Sequence, residues 1–419
     1  MSQSAPGGTP EGGVQRPLLD PVLVVWALTL LLGIQPLTTD LYLPALPGLK
    51  AELNAPMGAA QLTLSALILA FGFGQLALGP LADRTGRKPV LLAGLAAYVV
   101  AALGAMFAAT IEAVIAWRAL QGAGMAAAVV CARAMVRDLY PPHEGMRVMS
   151  RGMSGLGVIA LSSPALGGVI AAWLGWRAAI AVLALFGAAT LAFVLWRLPE
   201  TIVQRNPQAT RLKPLMASWR EIAAHPTFRA YAGLTFATYA GLYTFLAGSS
   251  FVFIEALGLS RTAYGLSVAS SSVAYLLGTF ACRRWLALHG ARVAVRRAGW
   301  CTLVGGVGMA ALTLGAGASA WSLLVPQWFY AFGHGIHQPC GQAGAVGPFP
   351  RQAGAASALA GFVLAGGAFA VGAWLGLAMD GSATPVVLTI AFWSILTAAI
   401  AWTGVQRHGE PQAAVPKPA

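Results

Sequence analysis

Apolar runs of about twenty residues recur along the chain, separated by short clusters of charged and turn-forming residues. The apolar core of a bilayer is ~30 Å thick, and a helix of about 20 residues crosses it. Because lipid offers backbone groups no hydrogen-bond partners, runs of this length fold as helices. Only 9% of the residues are charged, against about 25% in soluble domains. The pattern excludes a soluble globule and predicts an all-α membrane protein.

Twelve such segments are predicted, six on each side of a polar stretch. The first six span residues 22–46, 59–81, 90–110, 112–136, 148–171 and 177–197, and the last six span residues 230–254, 263–286, 292–315, 320–342, 354–377 and 384–404. We therefore predict an N-terminal six-helix bundle over residues 21–197, a linker over residues 198–229 and a C-terminal six-helix bundle over residues 230–405. Residues 1–20 and 406–419 are polar or rich in Gly and Pro, and we expect them to be disordered.

Basic residues set the orientation. An even number of spans puts both termini on one side, and most of the Arg and Lys residues between segments fall on that side. The loops of the opposite side hold Lys50, Arg177 and Arg261. Because basic residues accumulate in cytoplasmic loops, both termini and the linker are predicted to be cytoplasmic. The same bias accounts for the net charge of +13, so no nucleic-acid partner is expected. The partners that we expect are lipid, a small-molecule substrate and the proton, with the chain a monomer.

Cysteine usage gives no sign of a metal or a disulfide. The cysteines are Cys131, Cys282, Cys301 and Cys340, and all lie in or beside apolar segments without the spacing of metal ligands. We expect buried free thiols, no metal and no cofactor. The N-terminal stretch lacks the features of a signal peptide, so the first apolar segment is expected to be retained as the first anchor.

The two halves contain a short repeat. Gly79-Pro-Leu-Ala-Asp83-Arg84 closes the second segment, and Gly278-Thr-Phe-Ala-Cys282-Arg283 closes the eighth. The equal place of the two hexapeptides in each half indicates duplication. Two parallel six-helix halves are typical of a transporter that rocks around a site between them.

The loop after the second segment concentrates charge. Its candidate gating residues are Gly79, Asp83, Arg84, Gly86, Arg87 and Lys88. Gly86 permits a tight turn, and Asp83 can accept hydrogen bonds from a cation or from a helix N-terminus of the other half. The cluster can latch the cytoplasmic ends of the halves in one state and release them in another. The alternative is an ordinary basic cytoplasmic loop.

Asp40 and Arg118 are charged residues inside apolar segments. Each lies six residues from the outer end of its segment, roughly 9 Å deep at 1.5 Å per residue. A charge in the membrane interior costs ~2.5–3.5 kcal/mol, which favours pairing or a function. Opposite charges at equal depth can pair, and their separation would let Asp40 take a proton. The alternatives are a structural ion pair and a hydrated Asp40 near the interface.

Other polar side chains are candidates for a substrate cavity. His334 and His337 lie one turn apart, as do Tyr239 and Tyr243, so each pair shares a helix face. Tyr42 and Gln121 fall near the depth of Asp40 and Arg118. An apolar cavity with a few polar groups suits a small organic molecule, whereas packing and interhelical hydrogen bonds are the alternative roles.

Four segments together resemble the major facilitator superfamily. The decapeptide from Gly79 to Lys88 is similar to the signature loop of that superfamily, and Asp40-Leu-Tyr42-Leu-Pro44 resembles the first-helix motif of its Bcr/CflA drug exporters. Arg118-Ala-Leu-Gln121-Gly122 resembles an Arg-x-x-Gln-Gly motif of proton antiporters. Ser163-Pro164-Ala-Leu-Gly167-Gly168 resembles the antiporter motif, with Ser163 in place of the usual Gly.

The resemblance implies a major facilitator fold and proton-coupled efflux from the bacterial inner membrane. Asp40 and Arg118 would couple protons, and Pro164, Gly167 and Gly168 would form a gating interface. The cargo implied is an amphenicol- or bicyclomycin-like drug, and the proton gradient would supply the energy. The rivals are export of a cell metabolite, an uncoupled facilitator or importer, a membrane enzyme using the His pair, and a receptor with this fold. No nucleophile or acid pair favours an enzyme.

Overall fold

A computed structural model of the chain describes residues 19–409, apart from residues 141 and 203. Most of the two predicted disordered ends therefore lies outside the described residues. Every regular element of the described part is helical, as the apolar pattern predicts.

The described part of the first half of the chain forms seven α-helices. Helix α1 is followed by a short 3₁₀ turn over Leu43–Ala45 and the seven-residue helix α2. The helices are α1 (Pro21–Asp40), α2 (Leu46–Glu52), α3 (Met57–Thr85), α4 (Arg87–Met106), α5 (Ile111–Leu139), α6 (Pro142–Trp173) and α7 (Gly175–Arg197). Local sequence sets several starts: the Asp20 side chain accepts a hydrogen bond from the Val22 amide, and Thr110 caps α5 through the Ala113 amide.

The second half begins after a linker that contains a helix absent from the sequence prediction, α8 (Leu212–Ala224). The following helices are α9 (Pro226–Ser250), α10 (Arg261–Ala316), α11 (Ala320–Val346), α12 (Ala353–Ala378), α13 (Thr384–Trp402) and α14 (Gly404–His408). A π-helical turn over Phe251–Ala256 extends α9 at its C-terminal end. Ser319 and Ser322 start α11 with a reciprocal capping box.

Helix α10 is 56 residues long, and Gly290 interrupts it with φ 76° and ψ 172°. That left-handed φ favours glycine. The break lies between the predicted segments 263–286 and 292–315. Within the described residues, ten helices are long and apolar enough to cross a membrane, with α10 counted once and α11 not among them. The chain is therefore a multi-pass membrane protein.

Contacts between the first and last groups of helices run along two pairs, α3 with α12 and α6 with α10. Small residues allow the backbones to approach closely. A Cβ atom on Gly58 would lie 3.2 Å from the Gly376 carbonyl oxygen, and one on Gly72 would overlap the Cβ of Ala365. Tyr243 lies at this boundary, where its hydroxyl meets Ser65 of α3.

Candidate functional site

Arg118 is fully buried in α5 and is held without a carboxylate. Its Nη1 donates to Gln121 Oε1 at 2.7 Å, and its Nη2 donates to the Thr38 carbonyl at 3.1 Å. The guanidinium stacks on the Tyr42 ring, with Cζ 4.3 Å from the centroid. Tyr42 and Gln121 are thus buried supports of Arg118 in this structure.

Asp40 does not pair with Arg118 among the described residues, so the expectation of a direct ion pair is wrong for this state. Thr38 and Tyr42, which contact Arg118, are four residues apart and share one face of the chain. Asp40 lies two residues from each, on nearly the opposite face. The prediction rested on matching depth, which carries no information about rotation around the helix axis.

Asp40 lies near the second half of the chain. It is half-buried, and its Oδ1 accepts a hydrogen bond of 2.7 Å from Thr39 Oγ1. Tyr239 of α9 and Tyr264 of α10 lie within electrostatic range of its carboxylate. A partly accessible carboxylate with a spare oxygen can bind and release a proton without breaking the Arg118 contacts.

Aromatic rings of the second half form a group near Asp40. Tyr239 and Tyr243 stack with centroids 6.3 Å apart, and the ring of His334 lies 6.3 Å from Tyr239 and 5.7 Å from Tyr275. Tyr243 also crosses to the first half, because its hydroxyl lies 3.0 Å from Ser65 Oγ. Tyr275 was missed by the sequence analysis, since a single Tyr in an apolar segment has no distinctive spacing.

The two histidines of α11 point to different places. His334 Nδ1 lies 3.1 Å from Thr238 Oγ1 and belongs to the aromatic group beside Asp40. His337 Nε2 lies 3.2 Å from the Val295 carbonyl and is packed against α10 beyond the Gly290 break. Of the two, only His334 packs against the tyrosines near Asp40. The two side chains therefore have different surroundings, although their spacing places them on one helix face.

The residues of the antiporter-like motif pack closely, as their size predicts. Gly168 faces α10, where an added Cβ would lie 2.6 Å from the Arg261 carbonyl oxygen. Gly265 of α10 in turn abuts the Pro164 carbonyl. Gly167 instead packs on the Leu41 carbonyl of its own half. Pro164 and Gly168 therefore form part of the seam between the halves.

The signature loop holds its own half together in this structure. Gly86 is the single residue between α3 and α4 and has φ +117°, which agrees with the predicted tight turn. The Arg87 guanidinium pairs with Asp83 and lies 3.0 Å from Asp138 Oδ2. Lys88 Nζ donates to the Leu195 carbonyl at 3.2 Å. Asp83 thus uses a cationic neighbour rather than a helix of the other half.

Glu200 completes this cluster and was not singled out from the sequence. It follows α7 and caps the start of α4. Its carboxylate accepts hydrogen bonds of 2.9–3.2 Å from the backbone amides of Arg87, Lys88, Thr201 and Ile202. An acid three residues after an apolar segment is too common a pattern to reveal such a cap.

The linker is fastened to the signature loop by its first part. The Asn206 amide donates to the Asp83 carbonyl at 2.9 Å, and Arg84 Nη1 donates to Thr210 Oγ1 at 2.8 Å. The second part, α8, packs on the other half instead, where Ile222 is fully buried near Phe228 and Phe349. The loop therefore contacts the linker, a role that the sequence analysis did not predict.

The outer ends of the halves are joined by charged residues. Lys50 Nζ lies 2.7 Å from Glu255 Oε2, which bridges α2 to the turn after α9. Arg261 Nη1 donates to the Ala171 carbonyl at 2.7 Å and so ties α10 to α6. The predicted outer loops contain few basic residues, so each one that is present stands out in the sequence as a candidate for such a contact.

Two of the cysteines meet in the fold. The Sγ atoms of Cys282 and Cys340 are 3.6 Å apart and unbonded, and both side chains are buried. Within the described part of the chain, no group of three or more His, Cys, Asp or Glu side chains is arranged to hold a metal ion.

Comparisons with known proteins agree with the motifs. Residues 28–253 match the family model described as Major Facilitator Superfamily. The chain is 32% identical to Multidrug resistance protein D of Escherichia coli over 80% of this chain and 83% of the relative. It is 31% identical to the Chloramphenicol resistance protein of Pseudomonas aeruginosa, over 76% and 75% of the two chains. Identity to the Bicyclomycin resistance protein homolog of Haemophilus influenzae is 28%, over 88% and 92%.

Solved structures share the fold at low identity. The xylose transporter XylE from E. coli, in a partially occluded inward-open conformation, has a TM-score of 0.72 and 15% identity, over 91% of this chain and 97% of that one. A bacterial homolog of the human lysosomal transporter Spinster, in an inward-facing conformation, has a TM-score of 0.72 and 16% identity, over 93% and 98%. These similarities concern the fold alone.

Proposed function

This chain belongs to the major facilitator superfamily, as a member of the Bcr/CflA type, and from that membership we propose that it exports small organic drugs in exchange for protons. The cargo is an amphenicol- or bicyclomycin-like molecule, the class named in relatives from P. aeruginosa and H. influenzae. Export crosses the bacterial inner membrane, and the proton gradient drives a single copy of the chain without a cofactor.

The proposed architecture is twelve spans in two six-helix bundles, residues 21–197 and 230–405, with both termini in the cytoplasm. The break at Gly290 supports dividing α10 into two spans. The halves are also packed alike. Gly122 of α5 lies on the Leu67 carbonyl of α3, and Gly335 of α11 lies on the Tyr275 carbonyl of α10. Each contact joins the second and fourth spans of its half.

The position of Asp40 carries the proton-coupling proposal. Its carboxylate is partly accessible, is near the second half and lies on the opposite side of the chain from the fixed Arg118. When the halves rock, Arg118 keeps its partners on α1 and α5, whereas the surroundings of Asp40 change. Asp40 then meets a different surface of the second half in each state. It binds a proton in the state that is open to the outside and releases it in the state that is open to the inside.

The substrate is proposed to lie beside Asp40 against the aromatic group. Tyr239, Tyr243 and His334 give apolar ring faces with a few polar atoms, which suits a drug with an aromatic or cyclic body. Tyr42 and Gln121 serve this site through Arg118. Pro164, Gly167 and Gly168, together with the loop from Gly79 to Lys88, are proposed to guide the rocking of the halves.

The decisive experiment uses Asp40→Asn in inverted membrane vesicles loaded with a pH-sensitive dye. The wild-type chain should release protons from the vesicles when an amphenicol is added, and the variant should not, although it inserts at a normal level. Glu112→Gln removes an exposed acid of α5 and should behave as wild type. Drug-dependent proton release by Asp40→Asn at the wild-type rate would overturn the coupling role.

Whole-cell accumulation separates export from uncoupled facilitation. Cells that express the chain should hold several-fold less drug than control cells, and an uncoupler should abolish the difference. A difference that survives the uncoupler would indicate another energy source or a passive route.

A further inference from the structure

Helix α8 carries an apolar stripe that the protein does not cover. Leu212 is 70% exposed and Met216 is 63% exposed. Ala223, also exposed, falls on the same side at 100° per residue. The protein-facing side is different, because Leu215, Ser218 and Ile222 on that side are half-buried or buried. The helix thus has two apolar surfaces, and only one of them packs on the second half.

Basic side chains border the exposed stripe on one side. Lys213 and Arg220 are seven residues apart, so they lie on one line along the helix, next to Leu212 and Met216. The acid of this helix, Glu221, points away from that line and contacts Gln352 at 3.4 Å. Half-buried Trp219 lies between the stripe and the protein-facing side. Apolar residues bordered by Lys, Arg and Trp are typical of a helix that lies in a membrane interface.

The position of α8 places the stripe at membrane level. His225, in extended conformation, is the only residue between the end of α8 and the start of α9. Because α9 is a membrane-spanning helix, α8 ends where that span meets the bilayer surface. At thirteen residues, α8 is roughly 20 Å long and too short to cross the bilayer itself.

We propose that α8 lies in the headgroup layer of the inner leaflet and binds anionic phospholipid, with Leu212 and Met216 among the acyl chains and with Lys213 and Arg220 on lipid phosphates. The matching charge favours anionic lipid over zwitterionic lipid. Because Ile222 packs against the second half, lipid bound to α8 also holds that half. The lipid therefore fixes the height of the linker relative to the membrane surface.

The test places a fluorophore at Met216→Cys in the full-length protein reconstituted in vesicles, with Ala217→Cys as the matched control. Ala217 is exposed but lies away from the stripe, beyond Lys213. The label at 216 should be quenched by lipids brominated on the acyl chain and protected from aqueous iodide, with the reverse at 217. Unsubstituted protein, labelled in parallel, corrects for the native cysteines.

The lipid charge is tested by varying phosphatidylglycerol in phosphatidylcholine vesicles. Phosphatidylglycerol should move the label at 216 deeper into the bilayer and so increase its quenching by brominated lipid. Removing either basic residue should weaken that response about fivefold. Lys213→Gln with Arg220→Gln therefore abolishes it, whereas the exchange Lys213→Arg with Arg220→Lys keeps it. Equal quenching at 216 and 217, shielding of 216 from both quenchers as by a second copy, or an undiminished lipid response in the double variant would each overturn the proposal.

Discussion

At the scale of single residues, Arg118 can be buried because its planar guanidinium, here called the fork, carries several N–H donors in fixed directions. Separate nitrogens reach Gln121 and the Thr38 carbonyl, and the flat face of the group rests on Tyr42. A lysine has one rotating ammonium and cannot reproduce this set. The guanidinium shape, as well as its charge, is therefore required here.

We expect Arg118→Lys to lower stability by about 2 kcal/mol, because hydrogen bonds to charged groups contribute about 1.5–3 kcal/mol each. Drug efflux should fall strongly as well. Thermal unfolding of the purified protein, followed by tryptophan fluorescence, measures the first effect. The same substitution at partly exposed Arg177 is the control and should change stability by less than about 1 kcal/mol. Equal shifts for the two variants would contradict the proposed role of the buried fork.

The residue scale also shows where sequence reasoning stops. The ends of the predicted segments placed Asp40 and Arg118 at one level. Their relative direction did not follow, because a two-residue difference in position turns a side chain to the other face of a helix. The roles of Thr38 and Tyr275 were hidden for a related reason: each depends on a neighbour that is distant in sequence.

At the scale of elements, glycines determine which helices can pack closely against each other. Gly168→Ala would push a Cβ to 2.6 Å from the Arg261 carbonyl, a backbone atom that cannot turn aside. Overpacking of this kind costs about 1–3 kcal/mol, which outweighs the gain of about 1 kcal/mol in helix propensity. We expect a lower unfolding temperature and slower efflux.

The control for this prediction is Gly308→Ala in α10. Nothing lies within 4 Å of a Cβ at that position, so only the propensity gain remains and the unfolding temperature should stay level or rise. If Gly168→Ala and Gly308→Ala gave the same shift, the seam between α6 and α10 would not be tightly packed.

The cap formed by Glu200 predicts a second effect at this scale. Glu200→Gln keeps the shape but removes the charge that accepts the amides at the start of α4. The loss should be about 1–3 kcal/mol. Glu221→Gln, an exposed acid with one long contact, should leave the thermal unfolding curve nearly unchanged. Matching unfolding curves for both variants would rule out the cap.

Element boundaries were largely predictable because charged and turn residues mark the ends of apolar runs. The predicted segment at 177–197 ends with α7, and the gap between the eighth and ninth segments contains Gly290. Helix α8 was missed, since its thirteen residues are too few and too polar to stand out as a span. Its amphipathic pattern was nevertheless readable at helical spacing.

At the scale of the whole molecule, pairs between distant residues join the two groups of helices at the ends opposite the signature loop. The Lys50–Glu255 bridge spans 205 positions of the chain. Sequence alone could predict two bundles, but it could not predict which of their ends meet, because that depends on docking of the bundles rather than on local pattern.

The bridge predicts a shift in the conformational equilibrium. Lys50→Glu places two acids together and should favour opening of the outer face by about 1 kcal/mol, or roughly fivefold, as expected for a partly exposed pair. Spin-label distances between the outer ends of α2 and α10 measure the population. The exchange Lys50→Glu with Glu255→Lys should restore the wild-type distribution, and high salt should reduce every difference. Failure of the exchange to restore it would show that the pair does not hold the halves.

The divided attachment of the linker limits how far the transporter can move. Thr210 is held by Arg84 in the first half, and α8, which begins at Leu212, is seated on the second half. Arg211, with extended backbone, is the only residue between them. The connection therefore works as a tether with one pivot, which joins the signature loop of the first half to the helices that α8 packs against.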